Sequence, residues 1–271
     1  MAESKAVAEK KDQVPAEYAG YADYAGAGFE NQTSDDYAIP FLKVLEALSP
    51  ELQENDDLKQ GMIINTVTGE VFPGKEGIAF IPATTQHVYV EWKPRDAGGG
   101  FVGVHEPQSE LVRNCVENQD FGEYKTPDGN DLIETFYVYG VFIGADDTPQ
   151  EAVLAFSSAR IKKYKAWMTK AKTIQIALGD GRRIPAPLFS HRYRLTTAIE
   201  KAPQGSFHNW TIVFDGDNAV AARLLPDDPL FQSAVGIKTM IEQGKARAAY
   251  ESQTGKDVPG EGGAGNGKPA F

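Results

Sequence analysis

Four histidines and one cysteine are the side chains in this 271-residue sequence best suited to metal or nucleophile chemistry. His87, His105, His191 and His208 lie far apart, none within three to five residues of another, so the spacing that brings two imidazoles onto one helical face is missing. Cys115 stands alone, which excludes a disulfide within the chain and a cysteine-based zinc site, and no activating neighbour adjoins it. Neither a Walker A loop nor a G-x-S-x-G elbow occurs. Gly98-Gly99-Gly100 lacks the Lys-Ser/Thr ending of a phosphate loop and reads as a hairpin loop. The DGDN run from Asp215 to Asn218 opens like a calcium loop but lacks the later Glu, so it reads as a turn. No enzyme activity, metal or cofactor is expected.

The chemistry that stands out is cationic. From Arg160 to Arg194 the basic residues are Arg160, Lys162, Lys163, Lys165, Lys170, Lys172, Arg182, Arg183, Arg192 and Arg194, against the single acid Asp180. That segment carries +9 inside a chain of net charge -11. Such segregation costs self-repulsion unless an anion uses it, the competing reading being a solvated helix face paired with acidic residues elsewhere in the chain. In HRYRLTTAI, His191 to Ile199, period-two alternation puts Tyr193, Leu195, Thr197 and Ile199 on one face and Arg192 with Arg194 on the other. Two arginines along a strand can follow a phosphodiester backbone. Trp167 and Trp210 fall within apolar stripes and read as core. Tyr89 shares a face with Lys93, and Trp92-Lys93-Pro94-Arg95 closes a strand beside the triple glycine. Flat rings next to cations suit single-stranded nucleic acid, in which every base offers a π-face. Packing of Trp92 beneath the sheet is the competing reading.

These residues need elements to hold them. Phe41, Leu42, Leu45 and Leu48 follow helical spacing, so Ile39 to Glu51 is expected as a short amphipathic helix ending at Ser49-Pro50. Gly61 to Phe72 reads as a strand, a turn at Thr68-Gly69 and a return strand. Ile78 to Lys93 is a half-buried strand, Leu132 to Gly144 a central strand and Glu151 to Ser157 its return. Ser158 to Leu178 is a helix with the stripe Tyr164, Trp167, Met168, Ala171, Ile174 and Leu178. Phe189 to Lys201 and Phe207 to Asp215 form a hairpin, and Asp228 to Tyr250 a closing helix. A helix between the third and fourth main strands of an antiparallel barrel is the OB layout. The expected fold is therefore mainly β with helices, an OB-like antiparallel barrel with insertions.

Three regions follow: an acidic arm over residues 1–36, a nucleic-acid-binding domain over 37–250, and a Gly-rich tail over 251–271. The arm holds three Lys and eight acids, and the tail two Lys and three acids. The opening MAESKAVAEKKDQ has no apolar run, and no stretch approaches the roughly 20 apolar residues of a membrane helix. A soluble chain in a reducing compartment such as the cytoplasm is expected.

The runs IPFLKVLEALSPE, GMIINTVTGEVF and YVEWKPRDAGGGFVGVH resemble tailed-phage single-stranded DNA-binding proteins, over a span from about Asp36 to Phe214. The layout is also similar to that of T7-type single-strand binders. The resemblance implies an OB-fold, a role in DNA replication, recombination or repair in the host cytoplasm, and no catalysis. Such proteins often end in a flexible tail whose terminal aromatic docks on replication or recombination proteins, which points to Phe271. Those tails are usually strongly acidic, whereas this one is nearly neutral. A sequence-tolerant single-stranded DNA-binding protein, with self-association allowed, is the first expectation. A virion structural or scaffold protein is the second, and a carboxylate-metal nuclease the third.

Overall fold

The computed structural model describes residues 38–202, 205–244 and 246–249, together with Gly20, Asp23, Tyr24, Ala27 and Gly28. The tail with Phe271, and the arm apart from those five positions, lie outside the described residues. The frame is a long antiparallel sheet. Strand β5 (Ile78–Trp92) pairs along its length with β7 (Asp131–Ile143), which turns into β8 (Pro149–Ser157). The first residues of β5 pair with β11 (Tyr193–Ala202), which forms a hairpin with β12 (Gly205–Phe214). The last residues pair with β6 (Phe101–His105). The order is β12-β11-β5-β7-β8, with β6 beside β5. A second sheet joins β2 (Leu42–Val44), β3 (Ile63–Asn65) and β4 (Val71–Phe72). It leans on the first through a parallel bridge from Phe41 to Val153 and an amide hydrogen bond from Thr197 to the Gly74 carbonyl, 2.8 Å.

The expectation of a mainly antiparallel β chain with helices holds. No closed barrel ladder forms among the described residues, because β12 has no strand on its outer edge. That edge is blunted locally: the His208 amide donates to Glu46 and the Trp210 amide to the Asn209 side chain.

A bulge between Pro82 and Thr84 keeps the faces of β5 matched to β7. Opposite Pro82, Gly140 has no room for a side chain, since a Cβ would stand 2.3 Å from the Ile81 carbonyl oxygen and 2.6 Å from the Phe80 ring. On one face Ile81, Val88, Val90, Trp92, Tyr137, Tyr139 and Val141 form a core. It is covered by α4 (Pro229–Glu242), through Ala234 and Ile237, and by the pair β1 (Ala38–Ile39) with β13 (Arg247–Ala248). On the other face Phe80, Val138, Phe142, Leu154 and Phe156 meet the second sheet, β11, β12 and Trp167 of α3 (Ile161–Thr173). Further along that face, Tyr89 and Leu132 pack under Val112 and Cys115 of α2 (Glu110–Asn118).

The helix expected over 39–51 is replaced by extended chain, followed by the single turn α1 (Glu51–Glu54). Ile39 and Phe41 enter the first core while Leu42 and Val44 enter the second, so both faces of this strand are covered and its apolar run mimics helical spacing. The turn at Thr68-Gly69 is present, with Gly69 at φ 73°. Helix α3 lies between β8 and β11 as expected, but stops at Thr173. The chain then makes a small hairpin of β9 (Gln175–Ala177) and β10 (Arg183–Pro185). Helix α2 was not expected, although Ser109 accepts from the Val112 amide at its start and Val112 and Cys115 sit three apart on its buried side. β5 is not half-buried over its last residues, because α2 covers the face that carries Tyr89.

Candidate nucleic-acid interface

Burial overturns the exposed-aromatic expectation. Tyr89 is 8% exposed, and its phenol is pushed up to about 12 by burial, with Glu134 and Tyr124 adding to the shift. Trp92 is 4% exposed and meets Phe101 edge to face at 5.7 Å. Both serve packing, because α2 and the first core take the two faces of β5. Between them Glu91 is buried yet ionised. Burial opposes its charge, but hydrogen bonds from Asn130 (2.7 Å), His105 (2.7 Å) and Thr126 (3.2 Å) hold its carboxyl below the ordinary range. Lys93 is exposed beside them, and its amide donates to the Gly100 carbonyl. Arg95 begins a short 3-10 turn.

The cations divide by partner. Arg160 is only 5% exposed and reaches Glu46 at 2.7 Å and the His208 carbonyl at 3.0 Å. Burial pulls its guanidinium below the ordinary value while Glu46 raises it, and it stays charged. It is a structural cation tying the strand end at Glu46 to β12. Lys163 pairs with Glu200, whose carboxyl is lowered by hydrogen bonds from Lys163 and Asn209. Arg182 pairs with Asp180 inside its own turn, at 2.6 Å. Arg192 and Arg194 converge on Asp215, at 2.5 and 2.9 Å. That pairing also gives Asp215, first residue of the DGDN turn, an occupant other than a metal ion.

Three acids from outside the segment, Glu46, Glu200 and Asp215, thus bring its +9 down to +6. Lys162, Lys165, Lys170, Lys172 and Arg183 are exposed and have no ion pair among the described residues. Four lie on α3, whose Trp167 and Ala171 face the core, and Arg183 lies on the hairpin that continues from its C-terminal end. The cations of α3 and the Arg192/Arg194 pair do not share one face. Tyr193 and Leu195 of β11 point to the core shared with Trp167, so both arginines point the other way. The alternation ends early, too: Ile199, on the face of Tyr193 and Leu195, is 66% exposed because the outer half of the hairpin leaves the core.

Sequence reasoning missed an aromatic column beside α3. His87 stacks on Phe136 at 4.2 Å and 9°, Phe136 stacks on Tyr164 at 4.5 Å and 21°, and Lys165 Nζ stands 5.7 Å from the Phe136 centroid. His87 and Phe136 are cross-strand partners far apart in sequence, so only the strand register brings them together.

Residues 8–247 match the family described as Pam3 phage gp34-like protein. The chain belongs to that family. Membership of this phage gp34-like family agrees with a bacteriophage source. No curated protein and no solved structure matches the chain. Among the described residues of this phage gp34-like chain, no helix is long and apolar enough to cross a membrane, and no group of three or more His, Cys, Asp and Glu is placed to hold a metal.

Proposed function

We propose that this phage gp34-like chain binds single-stranded DNA with little sequence preference, tracking phosphates along α3 and the β9–β10 hairpin. The observation that carries the reading is the set of five exposed cations without ion pairs among the described residues, gathered on one helix and the hairpin after it. Ten basic residues would be a poor guide, since half of them are spent on internal acids. An OB-like reading of the fold draws support from the second core, which strands of both sheets and α3 enclose together. The role would be to coat single strands during phage DNA replication, recombination or repair, without catalysis, and to recruit partners through the tail that ends in Phe271.

The test is a gel-shift titration of oligo(dT) against duplex DNA over a range of salt. Five neutralised phosphates at about 0.7 each give a slope of log K against log salt of about -3.5 for the single strand. Replacing Lys162, Lys165, Lys170 and Lys172 by Ala should bring the slope to about -0.7 and the affinity down by well over tenfold. A salt-independent affinity, or none, refutes the reading. Absence of binding together with ordered large assemblies would favour a virion structural protein.

A further inference from the structure

We propose that His87 is a nucleobase-stacking position: an unpaired base lies on its exposed imidazole and extends the column His87–Phe136–Tyr164, with the adjoining phosphate on the Lys165 side. This rests on the reading above and adds what the lysines alone do not supply, a reason to prefer single strands.

The site follows from register and coverage. The bulge after Pro82 sets Phe80, Thr85, His87 and Tyr89 on one continuous face of β5, opposite Phe142, Val138, Phe136 and Glu134 of β7. Helix α3 covers one end of that face and α2 the other. Between them Thr85 and His87 are exposed and Glu134 and Phe136 half-buried, an open strip whose most exposed ring is His87, with 38% of its side chain accessible. The ring is held still. Its Nε2 lies 3.0 Å from Glu134 Oε1, and its plane is within 9° of the Phe136 ring beneath. Tyr89 flanks it at 5.8 Å, tilted by 40°. A pre-oriented flat ring over a rigid aromatic support is what a base needs, because stacking then costs little side-chain entropy. Glu134 repels a phosphate at this point, while Lys165, with Nζ 5.7 Å from the Phe136 centroid, attracts one. Duplex DNA keeps its bases stacked inside and offers no face to His87, whereas the lysines attract both forms.

The experiment compares the full chain with His87→Ala and His87→Phe, using oligo(dT) and an abasic strand of equal length. Both variants lie at an exposed position, and melting curves are recorded alongside to check that they fold. The wild-type protein is expected to bind oligo(dT) about fivefold or more tighter than the abasic strand. His87→Ala should bring that ratio close to one and reduce the preference over duplex with the salt slope unchanged, and His87→Phe should restore both. A His87→Ala protein that keeps the wild-type ratio overturns the proposal. If the wild-type protein binds both strands equally, stacking falls and phosphate tracking stands. If it binds neither, phosphate tracking falls and stacking falls with it.

Discussion

Removing the Glu46 carboxylate should destabilise the fold through a residue 114 positions away in sequence. In Glu46→Ala the Arg160 guanidinium stays buried with only the His208 carbonyl as partner, and the His208 amide on the outer edge of β12 loses its acceptor. Breaking a buried ion pair by deleting one partner costs about 3–5 kcal/mol, far more than the pair is worth against a well-packed apolar replacement. Glu46 is about a quarter exposed, so water can partly reach the gap, which puts the expected loss near the lower end, at about 3 kcal/mol. For a domain of this size each kcal/mol moves the melting midpoint by about 2–4 °C, so thermal melts should show a fall of about 6–12 °C. The double variant Glu46→Leu with Arg160→Met should recover most of it, because no charge is then left buried. It should also keep its DNA affinity, since Arg160 is not among the free cations. Glu46→Ala within about 1 kcal/mol of wild type, or a double variant no better than the single, would refute this reasoning.

Further outcomes are expected. Glu91 has a folded value below its unfolded 4.5, so the stability it contributes is whole above that pH and is lost as the pH falls below it; urea melts of Glu91→Gln should show lower stability at neutral pH and a flatter acid limb. Gly140→Ala forces a methyl against the Ile81 carbonyl and the Phe80 ring, and calorimetry should register a loss of about 1–3 kcal/mol. Arg192→Ala with Arg194→Ala removes cations already spent on Asp215, so the fold should persist and DNA affinity fall less than in the four-lysine variant; an equal fall in a gel shift would count against the partition of cations. Deleting residues 1–36 removes a net -5, and binding of oligo(dT) at low salt should tighten as the competing field goes. Lower affinity with a changed mass by light scattering would mean instead that the arm packs on the core or on a second copy.

The sequence by itself determined several local elements of this protein. Alternation in the second half of 78–93 and the aromatic and β-branched residues of 132–144 specified long strands, the Tyr164–Trp167–Met168–Ala171 stripe specified α3 and its inward face, and Thr68-Gly69 specified a turn, because each depends on residues within a few positions of one another. The excess of cations between Arg160 and Arg194 was equally plain. Only the tertiary structure decided which cations remain free, since Glu46, Glu200 and Asp215 neutralise their partners from other elements. It also decided what lies open. Tyr89 alternates like a surface residue until α2 covers it, and Ile39 to Glu51 reads as a helix until two cores claim opposite faces of its extended first part. His87 meets Phe136 only through the register of β5 on β7. Periodicity records which way a side chain points from its own backbone; burial and neutralisation depend on what another part of the chain places there.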